Sequence, residues 1–358
     1  MAIKQISKVP LLQALNNHRR RIIESKYFDF LLNPLISRLE RHPPILILDT
    51  TNHCNAKCSW CHNPDLKYPK GVMSQKLFEK IIRDYAQYKG DIWFATFGEP
   101  FMDKNILNRI EFTRKFDSIE NITILTNALL LSSDNVKRLI DLKVDIEISL
   151  DEINKDMFET VKQIDFDKVI KNILFLLDAN QRTGSPIRVI IRMKTLQTEK
   201  EVKEAKLYQQ IKELGAYVDL TPVATSDSIA NWGGNFDKSQ FFKNYFPGLT
   251  LNGNYKNYNV KNNAPCSQLW RNLVVMWDGK VVLCCVDMEG KVVLGDLNKN
   301  SILEIWKGEK IETVRKLFKN RSKSKIPLCK KCDLHQGWQY LRKYFNSTGS
   351  LYKNNFFK

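Results

Sequence analysis

Cys54, Cys58 and Cys61 stand three and then two residues apart in the run from Asp49 to His62. Three thiolates at this spacing can hold a cubane iron-sulfur cluster while leaving one iron without a protein ligand. An open coordination position lets a small molecule bind and react, as it does in catalytic as opposed to structural metal sites. Two other readings remain: a zinc loop with His53 or His62 as fourth ligand, or three ordinary buried thiols. A second group begins at Cys266, with twelve residues to Gly279, four more to Cys284 and Cys285, and then Cys329 and Cys332. Asp278-Gly279 between apolar runs signals a hairpin, which would return Cys284 towards Cys266. Four of these thiols could close a cluster of their own or form a zinc ribbon.

The elements that must position these groups follow from the apolar pattern. The text up to Pro44 carries helical stripes (Leu11, Leu12, Leu15, Ile22, Ile23, Ile36, Leu39), expected to pack across the outside of the main domain. Pro43-Pro44 ends that pattern, and Ile45 to Leu48 reads as a buried strand delivering the cysteine loop at its carboxyl end. Strands are then expected at 91–96, 122–126, 144–150, 187–193 and 217–222, with helices at 104–115, 133–142, 166–182 and 199–214. Six strands alternating with helices imply a parallel sheet of the α/β class, a partial (β/α)6 TIM-type barrel whose chemistry sits at the carboxyl ends of the strands. Residues 226–263 turn to Asn-, Gly- and Tyr-rich text, expected to cross the barrel mouth where substrate is held. The expected division is a helical segment (1–44), the barrel (45–225), this loop (226–263), a small C-terminal α+β iron-sulfur domain (264–340) and a tail (341–358).

The cysteine loop, with Trp60 just before its third cysteine, resembles the radical S-adenosylmethionine (SAM) superfamily, and the resemblance extends from Ile45 to Cys332. It implies that Cys54, Cys58 and Cys61 bind a 4Fe-4S cluster whose open iron is chelated by SAM. An electron then cleaves the sulfonium, and a 5'-deoxyadenosyl radical takes a hydrogen atom from the substrate. Thr96-Phe97-Gly98-Glu99-Pro100 resembles the family's Gly-Gly-Glu-Pro stretch, with Phe97 replacing the first glycine; Gly98 and Glu99 would receive the SAM amino group. Thr126-Asn127 matches a Thr-Asn-Gly position, with Ala128 replacing the glycine. Asn127, Ser149 and Asp151 at strand ends suit the ribose and amino-acid ends of SAM, with helix capping as the other reading. Arg192 would face the SAM carboxylate or make a surface salt bridge.

The spacing from Cys266 to Cys284 resembles the SPASM and twitch extensions of that superfamily. It implies an auxiliary 4Fe-4S cluster on Cys266, Cys284, Cys329 and Cys332, able to relay an electron. Cys285 is left spare, either as a donor returning a hydrogen atom to a substrate radical or as a buried thiol. The resemblance implies oxidation or epimerisation of a sugar or other small metabolite, or modification of a peptide, with a flavodoxin- or ferredoxin-type electron donor. Peptide-modifying members carry a leader-binding module, and 44 residues before the first strand are few for one.

The chain has 358 residues, 43% hydrophobic, enough for a sizeable core. All eight cysteines fall in the two groups, and Met1-Ala-Ile-Lys-Gln5 does not read as a signal peptide. Reduced, cytoplasmic, metal-binding usage is therefore expected, with no membrane span. The net charge of +17 arises from 56 Lys and Arg against 39 Asp and Glu. The lysines are spread along helices without interleaved aromatics, which argues against a nucleic-acid partner. Two alternatives stay open: an RNA-modifying radical SAM enzyme, and a non-catalytic iron-sulfur protein that transfers electrons.

Overall fold

A computed structural model describes residues 33–222, 231–235, 237 and 265–333. Most of the expected mouth loop, the tail and the first part of the N-terminal segment lie outside these residues. The described end of that segment is helix α1 (Asn33–Leu39).

From residue 45 onward the chain alternates. Strand β1 (Ile45–Leu48) is followed by α2 (Gln75–Tyr85), β2 (Gly90–Phe94), α3 (Ile106–Thr113), β3 (Ile119–Thr126) and α4 (Ser133–Asp141). Then come β4 (Asp145–Ser149), α5 (Lys155–Lys162), α6 (Phe166–Arg182), β5 (Val189–Thr195), α7 (Glu199–Glu204), α8 (Lys206–Glu213) and β6 (Tyr217–Pro222). These six strands pair in sequence order, all parallel. This is the α/β architecture expected of a six-stranded partial barrel. Helices α2 and α5 were not anticipated. The helix expected at 199–214 is split at Ala205, which takes an extended conformation (φ −72°, ψ 135°); nothing in its surroundings explains the break.

The C-terminal part is the small unit expected, and its strands continue the barrel's sheet. After α9 (Gln268–Arg271), β7 (Asn272–Val275) lies parallel to β1 on the side away from β2, with Ile45 opposite Asn272 and Leu48 opposite Val275. β8 (Lys280–Val282) and β9 (Val293–Asp296) follow antiparallel, giving the order β6-β5-β4-β3-β2-β1-β7-β8-β9. The Asp278-Gly279 turn joins β7 to β8, with Gly279 at φ +91°, a region favouring glycine. β1 is thus an interior strand, and all four of its residues are buried, as a strand covered on both faces requires. Helices α10 (Ile302–Trp306), α11 (Glu309–Lys319) and α12 (Pro327–Lys331) complete this part. It also receives α1: the indole N–H of Trp306 donates to Leu39 O (3.2 Å) and that of Trp270 to Glu40 Oε1 (2.7 Å). No described helix is long and apolar enough to cross a membrane.

Candidate functional site

The loop leaving β1 is fixed by its own polar side chains. Asn52 is fully buried; its amide donates to Pro69 O (2.9 Å) and its Oδ1 accepts from Gly71 N (2.9 Å). Asn63 donates to Asn52 O (2.9 Å) and to Phe97 O, and Lys70 Nζ donates to Asn52 O (3.0 Å) and Asn63 O (3.1 Å). Cys54, Cys58 and Cys61 are thereby held on one short arc, each half-buried.

The next strand end closes against this arc. Glu99 N donates to His53 O (2.8 Å), and Phe97 N donates to Asp49 Oδ1 (3.1 Å). Gly98 comes so near that an added Cβ would lie 2.3 Å from Thr51 O and 2.6 Å from His53 O. Phe97 can stand where the resemblance has a glycine because its ring is in the core (2% exposed) and both its backbone groups still serve the loop.

Three consecutive strand ends carry a residue other than glycine at positive φ: Thr96 (126°) after β2, Ala128 (65°) after β3 and Asp151 (65°) after β4. Each such conformation costs about 1–3 kcal/mol and persists only where surrounding contacts over-determine it, as at functional sites. The Glu99 carboxylate supplies such contacts. Its Oε1 accepts from Thr126 Oγ1 (2.7 Å) and Phe101 N (3.2 Å), and its Oε2 accepts from Asn127 N (2.8 Å). Burial raises the Glu99 pKa, and these hydrogen bonds oppose the rise. Asn127 in turn donates to Asn55 Oδ1 (2.7 Å), tying β3 back to the cysteine loop.

Ser149 and Asp151 meet on a residue that sequence reasoning missed. Lys162, 2% exposed at the end of α5, donates to Ser149 O (2.9 Å), Ser149 Oγ (2.8 Å) and Asp151 Oδ2 (2.8 Å). Burial alone would depress its pKa, but the charges of Asp151 and Cys58 outweigh it, and the ammonium stays protonated. The available signal was the amphipathic run Met157-Phe158-Val161, which would have placed Lys162 on a helix packed against the site. Arg192 lies opposite Ser149 in the β4–β5 ladder. Its guanidinium bridges Glu147 (2.6 Å) and Asp219 (3.2 Å), forming a charged ladder across β4, β5 and β6.

The second group assembles from three segments. Cys266, Cys284, Cys285, Cys329 and Cys332 line one cavity, together with Gln268, Lys323 and apolar side chains. Burial pushes the Cys284 thiol well up, with Cys285, Cys332 and Cys329 adding to the rise. Cys285 also faces cations: its thiol is raised by burial but lowered by Arg271 and Lys194, and Gln268 Nε2 lies 3.9 Å from its Sγ.

The donor chemistry fits iron-sulfur clusters. In the first group, burial pushes Cys54 up to about 11 and Cys61 up to about 12, with repulsion between the thiolates adding to it. Such thiols ionise readily only when a cationic metal centre offsets the charge. Among the described residues no three His, Cys, Asp or Glu side chains converge as a single ion would need; the thiols of the second group line a cavity instead.

The description of the radical SAM superfamily matches residues 48–206, and that of SPASM, an iron-sulfur cluster-binding domain, matches residues 266–333. The chain belongs to the radical SAM superfamily. Its cofactors are accordingly SAM and 4Fe-4S clusters. Among curated relatives it is 30% identical over 139 residues to a GTP 3',8-cyclase of Clostridium botulinum, an alignment covering 36% of this chain and 41% of that one. The chain thus spans less than half the length of the first such relatives. It is 23% identical over 293 residues to the S-adenosyl-L-methionine-dependent 2-deoxy-scyllo-inosamine dehydrogenase of Niallia circulans, covering 80% of this chain and 91% of that one. The crystal structure of BtrN in complex with AdoMet and 2-DOIA superposes with a TM-score of 0.54 at 19% identity, over 81% of this chain and 92% of that one, which shows the shared fold.

Proposed function

We propose that this protein is a radical SAM oxidoreductase acting on a small polar metabolite, removing hydrogen from an alcohol carbon. The carrying observation is the closure of the Cys54–Cys58–Cys61 arc onto the ends of β2 and β3 through Gly98, Glu99 and Asn127. Cys54, Cys58 and Cys61 would hold the SAM-binding cluster, and Cys266, Cys284, Cys329 and Cys332 an auxiliary one. When bound, these groups supply reductive cleavage of SAM to a 5'-deoxyadenosyl radical that abstracts hydrogen from the substrate, and a second centre for electron transfer.

The chain's own residues then have distinct tasks. Trp60 and the strand-end groups of Gly98, Glu99, Asn127, Ser149 and Asp151 would line the SAM site. Glu99, already anchored by Thr126 and Asn127, offers a fixed anionic edge to an ammonium. Lys162 keeps Ser149 and Asp151 in place and puts a buried positive charge near Cys58, which favours the thiolate. The Glu147–Arg192–Asp219 ladder lies on the same sheet face as Ser149, and its hydrogen-bonding groups suit hydroxyl or amino substituents better than an apolar substrate. The dehydrogenase that aligns over most of its own length acts, by its name, on an amino-polyol, which supports that choice. Cys285, facing Arg271 and Lys194, is the candidate hydrogen donor should the outcome be epimerisation.

The test is anaerobic. Reconstituted protein is given SAM and a strong reductant, with and without amino-polyols, and 5'-deoxyadenosine is quantified beside a Cys58→Ala control. Formation that depends on Cys58 and rises with a polyol supports the reading. Iron-loaded protein that yields none under any condition would overturn it in favour of an electron-transfer protein.

A further inference from the structure

The two cysteine groups are joined by a short turn that neither needs for its own ligands. Residues 231–235 form a single 3-10 turn, Trp232–Gly234, capped by the Asn231 side chain. On one side the turn is docked on the end of the chain that carries the second group. Asn231 N donates to Asp333 Oδ1 (2.9 Å), and Asn231 Nδ2 donates to Lys331 O (2.7 Å). Gly233 sits so close to α12 that a Cβ would fall 2.2 Å from Leu328 Cδ1, and one on Gly234 would fall 2.8 Å from Lys331 Cδ. These neighbours flank Cys329 and Cys332 directly. On the other side Trp232 Nε1 donates to Trp60 O (2.9 Å), the carbonyl immediately before Cys61. The Trp60 side chain is itself buried, at 8% exposed.

A backbone carbonyl in the arc that holds the first thiols is thus satisfied by an indole whose position is set by the helix bearing the last thiols of the second group. We propose that Trp232 is a positioning residue: docked on the Cys329–Cys332 segment, it fixes Trp60 and Cys61, so that SAM affinity at the first group depends on assembly of the second. This rests on the reading of the two groups as cluster sites. The coupling is thermodynamic and therefore reciprocal, so SAM bound at the first group stabilises the assembled second group by the same factor.

The experiment uses the full chain, reconstituted anaerobically, with SAM itself as the probe. Iron per chain, the dissociation constant for SAM and the electron paramagnetic resonance spectrum of the reduced first cluster with SAM are measured for four proteins. These are the parent, Trp232→Phe, Cys329→Ser/Cys332→Ser, and all three substitutions together. Trp232→Phe keeps the ring and removes only the N–H, a loss of one hydrogen bond that should weaken SAM binding roughly two- to tenfold. It should also alter the SAM-dependent spectrum at unchanged iron content. The double serine variant should weaken SAM binding by a similar factor, and the combined variant no further, since residues acting through one contact are not additive. Unchanged affinity in Trp232→Phe, fully additive losses, or iron lost from the second group in Trp232→Phe would each overturn the coupling while leaving the proposed function standing. A parent protein that binds iron but no SAM overturns both.

Discussion

The two cysteine groups solve one problem, gathering thiols that repel one another once ionised, by opposite means. The first uses eight consecutive residues on an arc locked by backbone and amide hydrogen bonds to strand ends of the parallel sheet. The second draws on chain segments near residues 266, 284 and 329, brought together by a hairpin, a helix and apolar packing. The first is a rigid socket in which single atoms matter. The second is a junction whose form depends on the whole C-terminal part being folded. Substitutions near the first group should therefore act through strain and buried charge, and those near the second through ordinary increments of local stability.

The largest contrast should come from Lys162→Met. It leaves the Asp151 carboxylate, 3% exposed, without its cation, and breaking a buried pair costs about 3–5 kcal/mol. Anaerobic urea unfolding of the iron-free protein should show it. A loss under 1 kcal/mol would mean that Asp151 is not held by this pair.

Next is a pH effect beside the first site. Glu152 is fully buried, and its carboxylate accepts from Thr195 Oγ1 (2.7 Å) and Leu196 N (2.7 Å). Burial raises its pKa from 4.5 to about 7. The folded state then holds a proton that the unfolded state has released, so this group destabilises progressively as pH rises from 4.5 through about 7. Its effect is absent below that window and full above it, up to about 3 kcal/mol. In Glu152→Gln that component should vanish, so the gain in melting temperature over the parent should grow with pH across the window. A constant difference would contradict it.

Gly98→Ala forces a methyl against backbone carbonyls that have nowhere to go, an overpacking of about 1–3 kcal/mol. Iron analysis should find the first group depleted and the second intact; equal depletion of both would erase the distinction between socket and junction. Smallest is Ser301→Ala, which removes the capping box that Ser301 makes with Glu304 at the start of α10. It should lower stability by about 1 kcal/mol and leave SAM binding unchanged.

Legibility followed the same divide. The cysteine arc, the Gly98-Glu99 turn and the Asp278-Gly279 hairpin were readable because each is local: a spacing, a close approach, a left-handed residue. Strand β6 and helix α6 fall at the residues their periodicity indicates, 217–222 and 166–182. Helix α2 was not anticipated, although Leu77, Phe78, Ile81, Ile82 and Tyr85 recur at helical spacing. Missing α5 hid Lys162, and a lysine at a helix end reads as solvated until tertiary packing buries it. The engagement of Arg192 by Glu147 and Asp219 depends on which strands are neighbours. The docking of β7 on β1 joins residues far apart in sequence, which no local pattern encodes.

That last pairing has a consequence for how the protein is made. Ile45 meets its partner Asn272 only after more than two hundred further residues have left the ribosome. Until then the nascent barrel presents the flank of β1 as an open edge, with its backbone groups unpaired and available to other chains. Asp49 N, at the root of the cysteine arc, likewise waits for Val275 O. The socket for the first cluster can therefore close only once β7 has been made, and a chain cut before β7 would keep that edge of the sheet open.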